Sequence, residues 1–291
     1  MIDLGKVLIP IPTPFGDNFE LSYDRASRLA EKVSALSCTD SIVLAATSGE
    51  FTSMSFEEKV EFFKTVKKAT GNKPLIAGTG TATTRETIDL TKAAEDVGVD
   101  VAMIVPPYYA RPSQEEICIH FENISQNTKL PIMLYNVGFS GVNMTPDTIA
   151  HLSKIVNIIC IKEIGTNPLQ VAETVMKSSI DFKVYSGSVA LAPCILAQGG
   201  VGVISEPLIG EKAKQLVDFY LSGDIKRGLE VYFGLIDFFK MYRFGMNPVP
   251  VLKHAFNLAG YDVGKPRPPL TELKEEEKTI VCDILKKLGI I

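Results

Sequence analysis

The chain has 291 residues, of which 46% are hydrophobic and 22% charged, and its formal net charge is −4. This balance is typical of a globular protein with a large core, and the weak negative charge argues against nucleic acid or an anionic membrane as a partner. No segment reaches the roughly 18 apolar residues that a membrane span requires. The five cysteines are odd in number and widely spaced, which favours neither a disulfide framework nor a zinc site and leads us to expect a reducing cytoplasm.

Short runs of β-branched and other apolar residues alternate with longer amphipathic segments from the N-terminus to about residue 220. This alternation predicts parallel strands joined by helical crossovers. We expect strands at residues 7–11, 42–45, 75–77, 101–105, 132–135, 158–161, 183–185 and 201–204. Three crossovers begin with a capping-box pattern, in which a hydroxyl residue precedes a glutamate by three positions: Ser55/Glu58, Thr83/Glu86 and Ser113/Glu116.

Eight strand–helix units of this length predict an α/β fold of the (β/α)8 barrel type over residues 1–222. A doubly wound sheet is the alternative. We prefer the barrel because polar residues recur after successive strands, whereas a doubly wound sheet collects them at one switch point. Residues 223–291 show no strand-like alternation and predict a C-terminal helical domain, with helical segments at 225–244, 247–259 and 272–288.

One lysine directly follows a run of apolar residues. Residues 158–161 lead into Lys162, so the predicted sixth strand places this amine at the mouth of the barrel. Burial favours the neutral form of an amine, which attacks a ketone to form a Schiff base. The alternative is an ordinary lysine at a strand end, which extends into solvent or pairs with Glu163.

Two further candidates follow other predicted strands. Tyr135 ends the fifth strand, where its phenol is suited to carry the proton that carbinolamine formation and C–C cleavage require. A tyrosine that merely packs at the rim is the alternative. Thr47-Ser48-Gly49-Glu50 follows the second strand, and its hydroxyls and amides are suited to bind a small carboxylate, although a helix-capping loop explains the same residues.

Other patterns argue against additional kinds of site. Gly78-Thr79-Gly80 lacks the third glycine of a dinucleotide-binding loop. The histidines are far apart and show no metal-ligand spacing, so we expect no metal and no cofactor: they are His120, His151 and His254. The acidic run 275–277 is expected to be a solvated helix face.

Taken together, the motifs resemble those of the dihydrodipicolinate synthase/N-acetylneuraminate lyase family over nearly the full length of the chain. The motifs that carry the resemblance are Pro12-Thr13-Pro14-Phe15, Thr47-Ser48-Gly49-Glu50, Gly78-Thr79-Gly80, Pro107-Tyr108-Tyr109, Tyr135-Asn136, Ile161-Lys162-Glu163, the glycine-rich run 199–205 and Asn247-Pro248-Val249-Pro250-Val251. Their combination and order are specific, although each motif alone is not. The resemblance implies a TIM barrel with a C-terminal helical domain, a homotetramer built as a dimer of dimers, and a Schiff base with pyruvate or a related 2-oxo acid.

The resemblance also implies roles for individual residues. Lys162 looks like the Schiff-base lysine, and Tyr135 looks like the phenol of the proton relay. Thr47 and Ser48 look like the hydroxyl pair that contacts the substrate carboxylate and continues the relay, with Ser48 in place of the second threonine commonly found there. Tyr109 looks like the tyrosine that is contributed to a neighbouring subunit's relay. The backbone positions that line the pyruvate pocket look like Gly187 and Ile204.

Departures from the family pattern bear on the second substrate. The synthase branch places an arginine shortly after its tyrosine-asparagine pair to bind a carboxylate, but residues 136–142 contain none. This stretch resembles the serine-glycine-valine form of the lyase branch, which makes Ser140 a candidate substrate-binding residue. The acidic pair that sialate lyases use after the seventh strand is also absent, because Ser186-Gly187-Ser188-Val189 stands there.

Residues 184–188 and 260–269 look most like archaeal-type 2-keto-3-deoxygluconate aldolases. We therefore expect a class I aldolase that reversibly cleaves a 2-keto-3-deoxy sugar acid, or a similar 4-hydroxy-2-oxo acid, to pyruvate and an aldehyde. One alternative is 4-hydroxy-tetrahydrodipicolinate synthase, which condenses pyruvate with aspartate semialdehyde, with Arg111 or another residue replacing the missing arginine. A second alternative is a non-catalytic 2-oxo-acid-binding member of the fold. Retention of Lys162, Tyr135 and the hydroxyl pair argues against that alternative.

Overall fold

The computed structural model describes residues 2–138, 142–165, 167–244 and 247–291, with only the backbone of 243 and 244. Its centre is a closed barrel of parallel strands, in which each strand pairs with the next and β8 returns to β1. The strands are β1 (Val7–Pro10), β2 (Ser41–Leu44), β3 (Leu75–Gly78), β4 (Val101–Ile104), β5 (Ile132–Asn136), β6 (Ile158–Glu163), β7 (Lys183–Ser186) and β8 (Gly202–Ile204). The predicted barrel is confirmed, and the doubly wound alternative is wrong because the sheet closes on itself.

The crossovers are helical, as the amphipathic segments predict. They are α1 (Tyr23–Ser34), α2 (Phe56–Thr70), α3 (Thr84–Val97), α4 (Gln114–Gln126), α5 (Pro146–Leu152), α6 (Pro168–Lys177), α7 (Ala192–Ala197) and α8 (Gly210–Leu221). The capping boxes that start α2 and α4 form completely. At α3 the Thr83 hydroxyl accepts the Glu86 amide, but the Thr83 amide donates to the Thr81 hydroxyl, so only half of the predicted box is made.

The side chains of the strands separate into two apolar groups. One group fills the barrel and includes Leu8, Val43, Ile76, Met133 and Cys160, whereas the other lies between the strands and the surrounding helices. Successive side chains of a strand point to opposite faces, so residues two apart share a face. Tyr135 and Lys162, which lie two positions after Met133 and Cys160, therefore point into the barrel near the carboxyl ends of its strands.

The C-terminal segment is helical, as expected. It contains α9 (Ile225–Gly234), α10 (Ile236–Lys240), α11 (Val249–Leu258) and α12 (Glu275–Lys287), and residues 241–244 form a 3-10 turn. Helix α12 begins three residues later than predicted because the Glu277 carboxylate accepts the amide of Lys274, which makes Lys274 the N-cap. The division of the chain at residue 222 stays a prediction. Within the described residues, no helix has the length and apolar character needed to cross a membrane.

Candidate active site

Lys162 lies near the carboxyl end of β6 and points into the barrel. It pairs in register with Tyr135 on β5 and with Tyr185 on β7. The residue is only 4% exposed, and its Nζ lies 4.1 Å from the centre of the Tyr135 ring. Glu163 faces the other way and accepts a hydrogen bond from Asn136 at 3.0 Å. Lys162 therefore neither extends into solvent nor pairs with its neighbour.

The Tyr135 hydroxyl lies 3.1 Å from Thr47 Oγ1, within hydrogen-bond distance. Thr47 starts a short 3-10 turn that follows β2, and Tyr135 is 3% exposed. The amides of Gly49 and Glu50 bond to carbonyls inside this segment, so they are not free to bind an anion. The turn nevertheless presents Thr47 and Ser48 to the space beside Tyr135, as the carboxylate-binding prediction requires.

A cavity of about 300 Å³ joins most of the predicted residues. It is lined by Lys162, Tyr135, Thr47, Ser48, Gly187 and Ile204, among others. Gly187 lies so close to its neighbours that an added Cβ would be 2.0 Å from Ile164 Cγ1 and 2.9 Å from the Glu163 carbonyl oxygen. A glycine at this position therefore allows the chain to pack closely against Glu163 and against Ile164, which also lines the cavity.

Glu206 is an acidic residue of this cavity that the sequence interpretation did not select. It follows β8 and lines the same space as Lys162. Burial raises the pKa of the Glu206 carboxyl, and the Tyr242 hydroxyl and the Lys162 charge oppose that rise. The C-terminal segment completes the wall with Tyr242, Pro248 and Leu252. The available signal resembles the one that identified Lys162: a charged side chain that closely follows an apolar strand, here with Ser205 between them.

A second cavity, of about 870 Å³, shares Thr47 and Tyr135 with the first. Arg111 and Tyr109 also line it. Tyr109 is 96% exposed, has a left-handed φ of 70°, and does not line the Lys162 cavity within one chain. Thr47 and Tyr135 thus border both cavities. Ser140, the remaining predicted residue, lies outside the described residues.

The three histidines have local structural contacts. His120 is buried with its Nδ1 2.9 Å from Thr84 Oγ1, and burial lowers the pKa of His120 to about 4. His151 is paired with Glu122, and His254 is partly buried on α11. No group of three or more His, Cys, Asp or Glu side chains suited to a metal ion occurs in the part of the chain that the structure describes.

Comparison with known proteins gives relatives that match this chain over nearly its full length. A 4-hydroxy-tetrahydrodipicolinate synthase of Desulforudis audaxviator is 37% identical over 294 residues, which covers 100% of this chain and 99% of the relative. The 4-hydroxy-tetrahydrodipicolinate synthase 1 of Halalkalibacterium halodurans is 39% identical over 281 residues, with 95% of each chain covered.

Solved structures agree with this comparison. A dihydrodipicolinate synthase from Cyanidioschyzon merolae with lysine bound superposes with a TM-score of 0.95 at 32% identity, covering 99% of both chains. A dihydrodipicolinate synthase from Bacillus anthracis gives a TM-score of 0.93 at 36% identity, covering 98% of this chain and 99% of the other. The profile of the dihydrodipicolinate synthetase family matches residues 3–288. This chain therefore belongs to the dihydrodipicolinate synthetase family of class I, pyruvate-dependent Schiff-base enzymes.

Proposed function

We propose that this protein is a 4-hydroxy-tetrahydrodipicolinate synthase, in which Lys162 forms the Schiff base with pyruvate and aspartate semialdehyde is the acceptor. The observation that carries the catalytic part is the buried Lys162 amine beside the Tyr135–Thr47 pair in one cavity. Support for the acceptor comes from the two relatives, since both bear this name and align with 95% or more of the chain. The relatives thus favour the synthase over the sugar-acid aldolase that the sequence departures led us to expect.

The first half of the reaction uses the Lys162 cavity. Lys162 Nζ attacks the ketone carbon of pyruvate, and the carbinolamine loses water to give the imine. Tyr135 supplies the proton that the departing hydroxyl needs and recovers one through Thr47, whose Oγ1 is 3.1 Å away. The hydroxyls of Thr47 and Ser48 bind the pyruvate carboxylate in the cavity that Gly187 also lines.

The second half requires the acceptor to approach from the larger cavity. The Tyr135–Thr47 relay accepts a proton from the pyruvate methyl group to give an enamine, which attacks the aldehyde carbon while Tyr135 returns a proton to the new alkoxide. Two described arginines line this cavity, Arg111 and Arg267. Arg267 is committed to Glu58 and to backbone carbonyls. We therefore assign the role of carboxylate clamp to the exposed Arg111.

A specific observation favours cleavage of a 2-keto-3-deoxy sugar acid as a second candidate function. Glu206 lies in the Lys162 cavity, and the described residues directly after the Tyr135-Asn136 pair, Val137 and Gly138, carry no positive charge. A carboxyl group accepts hydrogen bonds from substrate hydroxyls. These two features suit a hydroxylated, neutral aldehyde.

Tyr109 supports an assembly with more than one chain. A tyrosine that is 96% exposed at a left-handed backbone position has no packing in its own chain that accounts for its orientation. We propose that Tyr109 enters the relay of a neighbouring copy, within the tetramer that the sequence resemblance implies.

The experiment has two parts. The protein is incubated with pyruvate and borohydride, and the Lys162 peptide is examined by mass spectrometry, with Lys162→Ala as the control. A covalent pyruvate adduct on Lys162 is expected, and an unmodified Lys162 overturns the mechanism. Condensation rates with aspartate semialdehyde and with glyceraldehyde are then compared. Efficient reaction with the semialdehyde alone supports the synthase, and efficient reaction with glyceraldehyde alone supports the aldolase.

A further inference from the structure

A fully buried ion pair links the C-terminal segment to the turn that carries Thr47 and Ser48. Lys253 of α11 and Glu50 approach to 2.6 Å between Nζ and Oε1, and their side chains are 1% and 2% exposed. Removing two charges from water is costly, and apolar residues often replace such pairs without loss of stability. The presence of this pair therefore suggests a role beyond stabilising the fold.

Additional contacts complete the pair on both sides. The Lys253 ammonium donates to the Lys265 carbonyl at 2.8 Å and lies 4.3 Å from the centre of the Phe15 ring. The second Glu50 oxygen accepts the backbone amide of Arg267 at 2.8 Å. Arg267 packs on the same Phe15 ring at 4.0 Å. Glu50 is thus held by two separate parts of the C-terminal segment, α11 and the chain that follows it.

The backbone of Glu50 is directly coupled to Thr47. Glu50 has a left-handed φ of 54°, which a residue with a side chain adopts only when its surroundings enforce it. Its amide donates to the Thr47 carbonyl at 3.1 Å, and the Thr13 hydroxyl donates to the Gly49 carbonyl at 2.6 Å. A shift of Glu50 therefore changes the position of Thr47 relative to Tyr135.

We propose that Lys253 is a positioning residue for the active site. By fixing Glu50 in its left-handed conformation, it holds the Thr47–Ser48 turn where the turn binds the pyruvate carboxylate and contacts Tyr135. The inference rests on the proposed pyruvate site but not on the identity of the acceptor. It gives the C-terminal segment a second contribution to catalysis, in addition to the cavity wall.

The test substitutes Lys253→Met, which keeps an unbranched side chain, shorter by one atom, and removes its charge. The KM for pyruvate is expected to rise at least tenfold, while the KM for the acceptor changes less than twofold. Lys162 should still be trapped by borohydride at saturating pyruvate. The matched control is Phe256→Leu, a change in the buried face of the same helix at a ring that packs against Tyr261. It should lower the unfolding temperature and leave the KM for pyruvate unchanged.

The proposal fails if folded Lys253→Met protein keeps the wild-type KM for pyruvate, or if Phe256→Leu raises this KM equally. Where Lys253→Met does not fold, Glu50→Gln is measured instead, because it removes the same ion pair from the other side. An unchanged KM for pyruvate in Glu50→Gln also overturns the proposal. Failure of the underlying function is distinguishable, since wild-type protein would then give no borohydride adduct.

Discussion

The hydroxyl of Tyr135 can be removed without changing the position or packing of the ring. In Tyr135→Phe the ring keeps its place 4.1 Å from Lys162 Nζ and its packing in a site that is 3% exposed, so only proton transfer is lost. General acid–base catalysis contributes roughly 10²- to 10⁴-fold to a rate, or about 2.7–5.5 kcal/mol. In steady-state assays we expect kcat to decrease by a factor within that range and the KM for pyruvate to change only a few-fold.

Thr47→Val supplies the matching change on the other side of the 3.1 Å contact. If Tyr135 and Thr47 act as one relay, kcat of the double variant should be no lower than kcat of the less active of the two single variants. If the two residues contribute independently, the fold-decreases in kcat of the two single variants should instead multiply in the double variant. Multiplied effects in the double variant, or a loss of less than tenfold in Tyr135→Phe, would refute the relay.

Three other predictions concern separate parts of the molecule. Burial lowers the pKa of His120 to about 4, so between that pH and the ordinary value near 6.5 the unfolded chain binds a proton that the folded chain does not. Stability should therefore fall as pH drops through this window, by up to about 3 kcal/mol, and His120→Gln should remove this loss in urea titrations at pH 7 and 4.5. Gly187→Ala places a Cβ 2.0 Å from Ile164 Cγ1 and should raise the KM for pyruvate at least tenfold, whereas an unchanged KM would show that the wall adjusts. If Tyr109 acts across a two-fold interface, mixing Tyr109→Phe with Lys162→Ala subunits should restore about a quarter of wild-type activity, and action within one chain should restore none.

Most of the barrel could be predicted because buried parallel strands are nearly continuous apolar runs. The largest error at a strand end is in β6, which continues two residues past the predicted 158–161. Those two residues are Lys162 and Glu163, whose polar side chains suggest a loop. Their backbones nevertheless pair with Tyr135 and Asn136. Backbone hydrogen bonds decide where this strand ends, and the polarity of the side chains does not predict them.

The site could be predicted where it depends on the barrel alone. The carboxyl ends of the strands meet at one face, so Lys162, Tyr135 and the residues after β2 share a cavity. Tyr242 could not be placed, because its approach to Glu206 depends on how the C-terminal segment packs over the barrel. The Glu50–Lys253 pair could not be predicted for the same reason, since no local spacing relates a turn after β2 to a helix near the C-terminus.

Two side chains distinguish the candidate acceptors. Arg111 lines the larger cavity and Glu206 the smaller one, and the Thr47–Tyr135 pair borders both. An acceptor with a carboxylate gains from Arg111, whereas a neutral polyol gains from Glu206. If the synthase assignment is right, Arg111→Met should therefore raise the KM for aspartate semialdehyde at least tenfold and leave the KM for glyceraldehyde unchanged. Glu206→Gln should reduce sugar-acid cleavage if the aldolase assignment is right. Because Arg111→Met does not touch the Lys162 cavity, the KM for pyruvate serves as the internal control, and an unchanged KM for the semialdehyde would remove Arg111 as its clamp.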